Sequence, residues 1–181
     1  MAERHVVLVG LMGVGKSTVG RRLAKDMDRP FADLDEQIEL AEGATIAQLW
    51  RERGEAAFRA SEAARLADLV ARPARLVIAA GGGVVTGDAN RRLLAETFVV
   101  WLRASPQFLA GRTDPTHRPL LAGGDAQGRL VRLLDERQAL YQEVADVAVD
   151  VEPFHAVDEK PKRALARHIA ALVAEHGTVR S

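Results

Sequence analysis

Residues 6–17 read Val6-Val7-Leu8-Val9-Gly10-Leu11-Met12-Gly13-Val14-Gly15-Lys16-Ser17. The aliphatic run Val6 to Val9 has the composition of a strand buried on both faces of a parallel sheet. Beyond Lys16, the apolar residues Val19, Leu23, Ala24 and Met27 recur at helical spacing until Pro30 closes the segment. Between strand and helix lie two fixed glycines, a lysine and a hydroxyl residue, which is the phosphate-loop pattern in the context it requires. The glycines let successive N–H groups curl around phosphate oxygens, and the helix directs its positive end at the same anion. Lys16 adds a mobile positive charge. Ser17 offers the oxygen ligand that magnesium on the terminal phosphates prefers. A nucleoside triphosphate with Mg2+ is therefore expected at this loop.

Working outward, short aliphatic runs alternate with helical patterns. Phe31 to Leu34 is a strand, with Asp35 expected to cap a helix that runs through Leu40. Thr45 and Gln48 have the spacing of a capping box, and Gly54 parts that short helix from a longer one carrying Phe58, Leu66, Leu69 and Val70. Leu76 to Ala80 is a buried-strand candidate that runs into Gly81-Gly82-Gly83, where the backbone must bend or approach something closely. A helix from Asp88, a strand from Phe98, a helix capped by Ser105, a helix from Arg129, a strand from Val147 and a helix from Lys160 complete the series. Residues 112–125 lack an apolar period and read as a mobile lid. This alternation predicts an α/β fold of three layers, a central five-stranded parallel sheet between helices, with ligands at the carboxyl ends of the strands. No linker or repeat divides the chain, so residues 1–181 are expected to form one domain.

Composition narrows the function. Hydrophobic residues make up 48% and charged residues 28%, the proportions of an ordinary globular chain. The 25 basic and 25 acidic residues cancel, leaving no global field of the kind that attracts nucleic acid or anionic membrane. There is no cysteine, and Met1 to His5 lead straight into the first strand without a signal-peptide pattern, so cytoplasm is the default expectation. Helix surfaces give no sign of a dimer, and a monomer is the default.

The acceptor half of the site rests on Asp33 and Asp35. Two residues apart in an extended segment, both carboxylates would point to one face. One can support magnesium while the other takes the proton of an attacking hydroxyl. The same pair also suits a solvated turn with a helix cap.

Taken together, the Gly10 to Ser17 loop, Phe31-Ala32-Asp33-Leu34-Asp35, Gly54-Glu55 with Phe58-Arg59 and Glu62, Gly81-Gly82-Gly83, Arg118-Pro119-Leu120-Leu121, and Arg137 through Leu140-Tyr141 resemble the shikimate kinases in order and spacing. The resemblance spans roughly the first 150 residues. It implies a P-loop kinase fold with a mobile lid and phosphoryl transfer from ATP to the 3-hydroxyl of shikimate. It also implies a catalytic set of Asp35, Lys16 and Arg118, with ATP on Gly13, Val14, Gly15, Lys16, Ser17, Thr18, Arg112 and Arg118. Shikimate would lie on Asp35, Phe58, Arg59, Gly81, Gly82, Gly83 and Arg137, within a substrate region of about residues 33–62. Magnesium would lie at Ser17 and Asp33, because Ile78-Ala79-Ala80 carries no acidic strand end.

Guanidinium forks suit a carboxylate substrate, and glycine N–H groups let it approach the backbone. Glu62 would orient Arg59 within one helical turn. Read singly, Arg59 and Arg137 are ordinary exposed helix arginines, Phe58 is core, and His117 and His155 are surface histidines. Two competing functions share the loop: another small-molecule kinase such as a gluconate kinase, and a nucleotide-binding regulator without catalysis.

Overall fold

The computed structural model describes residues 4–112, 125–157 and 160–177. Its five strands are β1 (Val6–Val9), β2 (Phe31–Asp33), β3 (Val77–Ala79), β4 (Phe98–Arg103) and β5 (Val147–Asp150). They form one sheet in the order β2-β3-β1-β4-β5, parallel throughout. The helices are α1 (Lys16–Asp26), α2 (Leu34–Glu42), α3 (Ile46–Val70), α4 (Asp88–Ala95), α5 (Pro106–Ala110), α6 (Ala126–Val144), α7 (Glu152–Val157) and α8 (Pro161–His176). A single 3₁₀ turn covers Val84–Thr86.

All four residues of β1 are fully buried, as a central strand with helices over both faces requires. α1 packs against α8, and α4 packs against both α3 and α6. β1 lies between β3 and β4, so its carboxyl end is the point where the chain's crossovers diverge and a crevice opens. Gly10 stands at that exit with φ 137°, and a Cβ there would collide with the Leu102 carbonyl of β4. Among the described residues no helix is long and apolar enough to cross a membrane.

Three local expectations need correction. The cap of α2 is Asp33 rather than Asp35: its Oδ1 accepts from the N–H groups of Asp35 and Glu36 at 3.1 and 3.4 Å. The strand thus ends at Asp33, and Asp35 lies in the first helical turn, so the two carboxylates do not alternate along an extended segment. The helix expected from Arg129 begins at Ala126, because Asp125 accepts from the Gly128 N–H and caps it. Residues 152–157, unmatched to any element in the sequence, form α7.

The Thr45–Gln48 capping box is present. Gly54, at φ 79° and ψ 175°, breaks α3 into a short limb carrying Trp50 and a long limb carrying Phe58. That conformation is almost confined to glycine, although a Cβ would meet no atom within 4 Å. Gly54→Ala should therefore cost about 1–3 kcal/mol from backbone strain alone. Gly10→Ala adds a backbone collision to its strain and should lower the chemical-denaturation midpoint further than Gly54→Ala does, which equilibrium urea titrations of both variants will test.

Candidate active site

Two cavities meet at the carboxyl end of the sheet. One, of about 300 Å³, is lined by Gly13 through Thr18, with Arg112, His155 and Lys162 at its other side. The other, of about 500 Å³, is lined by Phe58, Arg59, Glu62, Gly81 to Gly83 and Arg137, together with Trp50. Ser17, Asp33, Asp35, Gly81 and Gly82 belong to both. A ligand in one cavity therefore abuts a ligand in the other across two carboxylates and a hydroxyl.

In the smaller cavity the loop's curvature comes from Gly13 and Gly15, which adopt φ 83° and 98°. Lys16 Nζ donates to the carbonyls of Gly10 and Leu11 at 2.8 and 3.0 Å, which holds the ammonium at the wall of the cavity. α1 starts directly at Lys16 behind an uncapped Gly15, so its first N–H groups are left to an anion. Arg112 lines this cavity. His155 is not a plain surface residue: it lines the same cavity, and its Nδ1 lies 3.1 Å from Arg112 Nη2. Lys162, in the first turn of α8, joins it without having been marked in the sequence.

Ser17 and Asp33 stand where the cavities join, and both present hard oxygen donors. Among the described residues no cluster of three or more His, Cys, Asp or Glu side chains forms a closed cage. That donor set fits Mg2+, which retains water and takes its remaining ligands from phosphate.

The larger cavity is organised by Glu62, whose side chain is buried in α3. It accepts from Arg59 Nη1 at 2.8 Å, the pairing read from the sequence. Burial pushes the Glu62 carboxyl above its ordinary range, against the pull of the Arg59 guanidinium and with the help of the nearby Asp35 charge. Arg137 is not an exposed helix arginine but is 95% buried in α6, by its 5% exposure. Its Nε and Nη1, and Glu62 Oε1, have no hydrogen-bond partner among the described residues. Two buried guanidinium nitrogens on a cavity wall are what an incoming carboxylate would satisfy.

Aromatic side chains close the floor. The Arg59 guanidinium carbon is 5.0 Å from the Phe58 ring centre and 5.8 Å from that of Trp50. The two rings are 5.3 Å apart. Phe58 is thus both core and cavity wall. Trp50 was missed because Gly54 interrupts the helical register that would have aligned it with Phe58.

The glycine triplet is shaped by its neighbours. A Cβ on Gly81 would come within 2.8 Å of Glu62 Oε1 and 3.1 Å of Asp35 Oδ1, and one on Gly83 would fall on the Arg59 guanidinium. Tyr141, fully buried in α6, donates to the Gly82 carbonyl and fixes the turn. Arg118 and His117 lie outside the described residues, as does most of the expected lid at 112–125.

Replacing Glu62 separates its two effects. Glu62→Ala leaves Arg59 and Arg137 without their buried counter-charge and should cost about 3 kcal/mol in unfolding free energy. Because its folded pKa is raised, native Glu62 opposes folding increasingly as pH climbs from 4.5 to the raised value. The stability of Glu62→Gln relative to native should therefore improve over that rise, measured by urea unfolding across the window.

The shikimate kinase family model matches residues 12–174. A shikimate kinase of Gloeobacter violaceus is 47% identical over 166 residues, covering 90% of this chain and 93% of the relative. One from Pseudomonas fluorescens is 42% identical over 95% of this chain and 97% of its own. The structure of the Acinetobacter baumannii shikimate kinase in complex with shikimate superposes with TM-score 0.89 at 36% identity, covering 98% of this chain and 97% of that one. With the phosphate loop, the paired carboxylates and the two guanidinium groups already standing at one strand end of a P-loop kinase fold, the chain belongs to the shikimate kinase family.

Proposed function

We propose that this chain transfers the γ-phosphoryl group of ATP to the 3-hydroxyl of shikimate, giving shikimate 3-phosphate and ADP. The observation that carries the reading is the junction of the two cavities at Ser17, Asp33 and Asp35, with buried Arg137 nitrogens on the acceptor side that have no hydrogen-bond partner among the described residues. ATP phosphates fit the loop from Gly13 to Thr18, and the shikimate carboxylate suits Arg59 and Arg137. The Gly81 to Gly83 backbone and Phe58 border the ring. The region of about residues 33–62 is then the acceptor-binding part of one kinase domain.

In the transfer, the 3-hydroxyl oxygen forms a bond to the γ-phosphorus as the bond from that phosphorus to the bridging oxygen of ADP breaks. Asp35 takes the hydroxyl proton and keeps the oxygen in line. Lys16 follows the charge that moves onto the β,γ-bridging oxygen. Magnesium, held by Ser17 and by Asp33 directly or through water, supplies charge neutralisation on the terminal phosphates when bound. Arg118 has its role from the family resemblance alone. The cancelling charges favour an enzyme without nucleic-acid or anionic-membrane partners, and a cytoplasmic monomer is the default setting for it.

A coupled ADP-release assay with MgATP tests the reading, run with shikimate, with gluconate and with no acceptor. Shikimate-dependent release that vanishes in Lys16→Ala is expected. Release with gluconate alone would change the acceptor, and no release with any acceptor would leave a nucleotide-binding regulator. Asp35→Asn should keep ATP binding near the native value while kcat falls by about two to four orders of magnitude.

A further inference from the structure

We infer that Arg91 is a positioning residue for the acceptor: it ties the turn after the glycine triplet to α6, and so fixes the spacing between the Gly81 to Gly83 amides and the Arg137 guanidinium. The inference rests on the proposed acceptor site. Those two groups reach the larger cavity from elements far apart in the chain, the loop after β3 and the helix α6. A ring that touches both is held only as well as their spacing is held.

Every carbonyl from Gly81 to Thr86 is taken by a donor of the protein. The Gly81 carbonyl accepts from the Val84 N–H at 3.1 Å, and that of Gly82 accepts from the Tyr141 hydroxyl. The Gly83 carbonyl accepts from the Thr86 N–H at 3.0 Å and from its hydroxyl at 2.7 Å. Buried Asn90 donates from Nδ2 to the Val84 carbonyl at 3.0 Å. Arg91 Nη1 takes the last two, Val85 at 2.9 Å and Thr86 at 3.4 Å. In a trans peptide a carbonyl and the next N–H point opposite ways, so pinning the Gly81 and Gly82 carbonyls also aims the Gly82 and Gly83 amides.

Arg91 differs from the other holders in what its remaining nitrogens do. Nε donates to Glu143 at 3.2 Å, and Nη2 to Asp88 at 2.7 Å. Asp88 belongs to Arg91's own helix, α4, whereas Glu143 lies in the last turn of α6, the helix that carries Arg137 and Tyr141. The guanidinium thus joins the end of the glycine turn to α6 from outside, while Tyr141 joins them from within. Its side chain is only 18% exposed, so these bonds are partly shielded from water. A planar fork can serve two carbonyls and a carboxylate at fixed angles, which a lysine cannot.

Steady-state ADP release on the full chain at saturating MgATP gives the KM for shikimate, and calorimetry gives the dissociation constant for ADP. Arg91→Ala should raise that KM about tenfold and leave ADP binding unchanged. Glu143→Ala removes only the tie to α6, from an exposed side chain whose loss costs the fold little, and should raise the KM about threefold. Glu143→Gln keeps an oxygen for Arg91 Nε and should return the KM to near the native value. Asp88→Ala takes an exposed carboxylate from the same guanidinium without touching α6, and should leave the KM unchanged. The double variant Arg91→Ala with Glu143→Ala should be no worse than Arg91→Ala alone. A role in stability alone would lower the urea midpoint of Arg91→Ala and leave its KM where it was, which overturns the inference. Equal changes in Glu143→Ala and Asp88→Ala, or equal weakening of shikimate and ADP in Arg91→Ala, overturn it too. With native turnover of shikimate intact, any of these results removes this inference alone. A native chain without shikimate-dependent release removes the acceptor reading and the inference with it.

Discussion

The phosphate loop is hemmed in by backbone on both sides, and the rest of the site depends on that closeness. A Cβ at Gly10 would strike the Leu102 carbonyl of β4, while one at Gly82 would press to 3.4 Å from the Gly10 carbonyl and 3.5 Å from the Met12 amide. The turn after β1 therefore sits between the ends of β3 and β4 with no side chain as spacer. Interiors packed this tightly do not deform gradually. The loop's amides are held by the sheet, and the Gly81 to Gly83 turn is held by the loop and by Tyr141. Nucleotide and acceptor cavities thus adjoin beside the same glycine backbone, Gly81 and Gly82 lining both.

Electrostatics adds a second constraint inside that frame. Asp35, Glu62, Arg59 and Arg137 gather around the glycine triplet, two carboxylates and two guanidinium groups of which Glu62 and Arg137 are buried. The Glu62 carboxyl settles Arg59 geometrically at a cost to its own ionisation. Arg137 keeps two nitrogens without hydrogen-bond partners among the described residues. A buried, incompletely partnered cation opposes folding, and an anionic ligand would relieve it. The cavity is accordingly better matched to a ligand with a carboxylate than to a neutral polyol.

Much of this was readable in the chain itself, and the failures have physical causes. The loop after β1, the Thr45–Gln48 box, the Gly54 break and the five strands follow from local rules, because β-branched runs, caps and positive-φ glycines act within a few residues. Asp33 and Asp35 came together at the site, yet by another route than expected. The strand stopped one residue early, since an aspartate at its end caps the next helix better than it extends the strand. Arg137 looked like a surface residue because its burial is created by segments distant in sequence. His155 and Lys162 were invisible for the same reason: only the return of α7 and α8 to the phosphate loop brings them to the cavity. Trp50 could have been suspected as a rare aromatic beside Gly54.

The shared wall has a consequence for ligand design. Five residues line both cavities, so the two binding events are adjacent. A single molecule that joined a phosphate mimic to a carboxylated ring by a short, stiff tether would surrender its translational freedom once rather than twice. Its second half would arrive at an effective concentration of about millimolar or above. Such a bisubstrate compound would draw its selectivity from a geometry that two independent pockets, each common among nucleotide and carboxylate binders, do not possess.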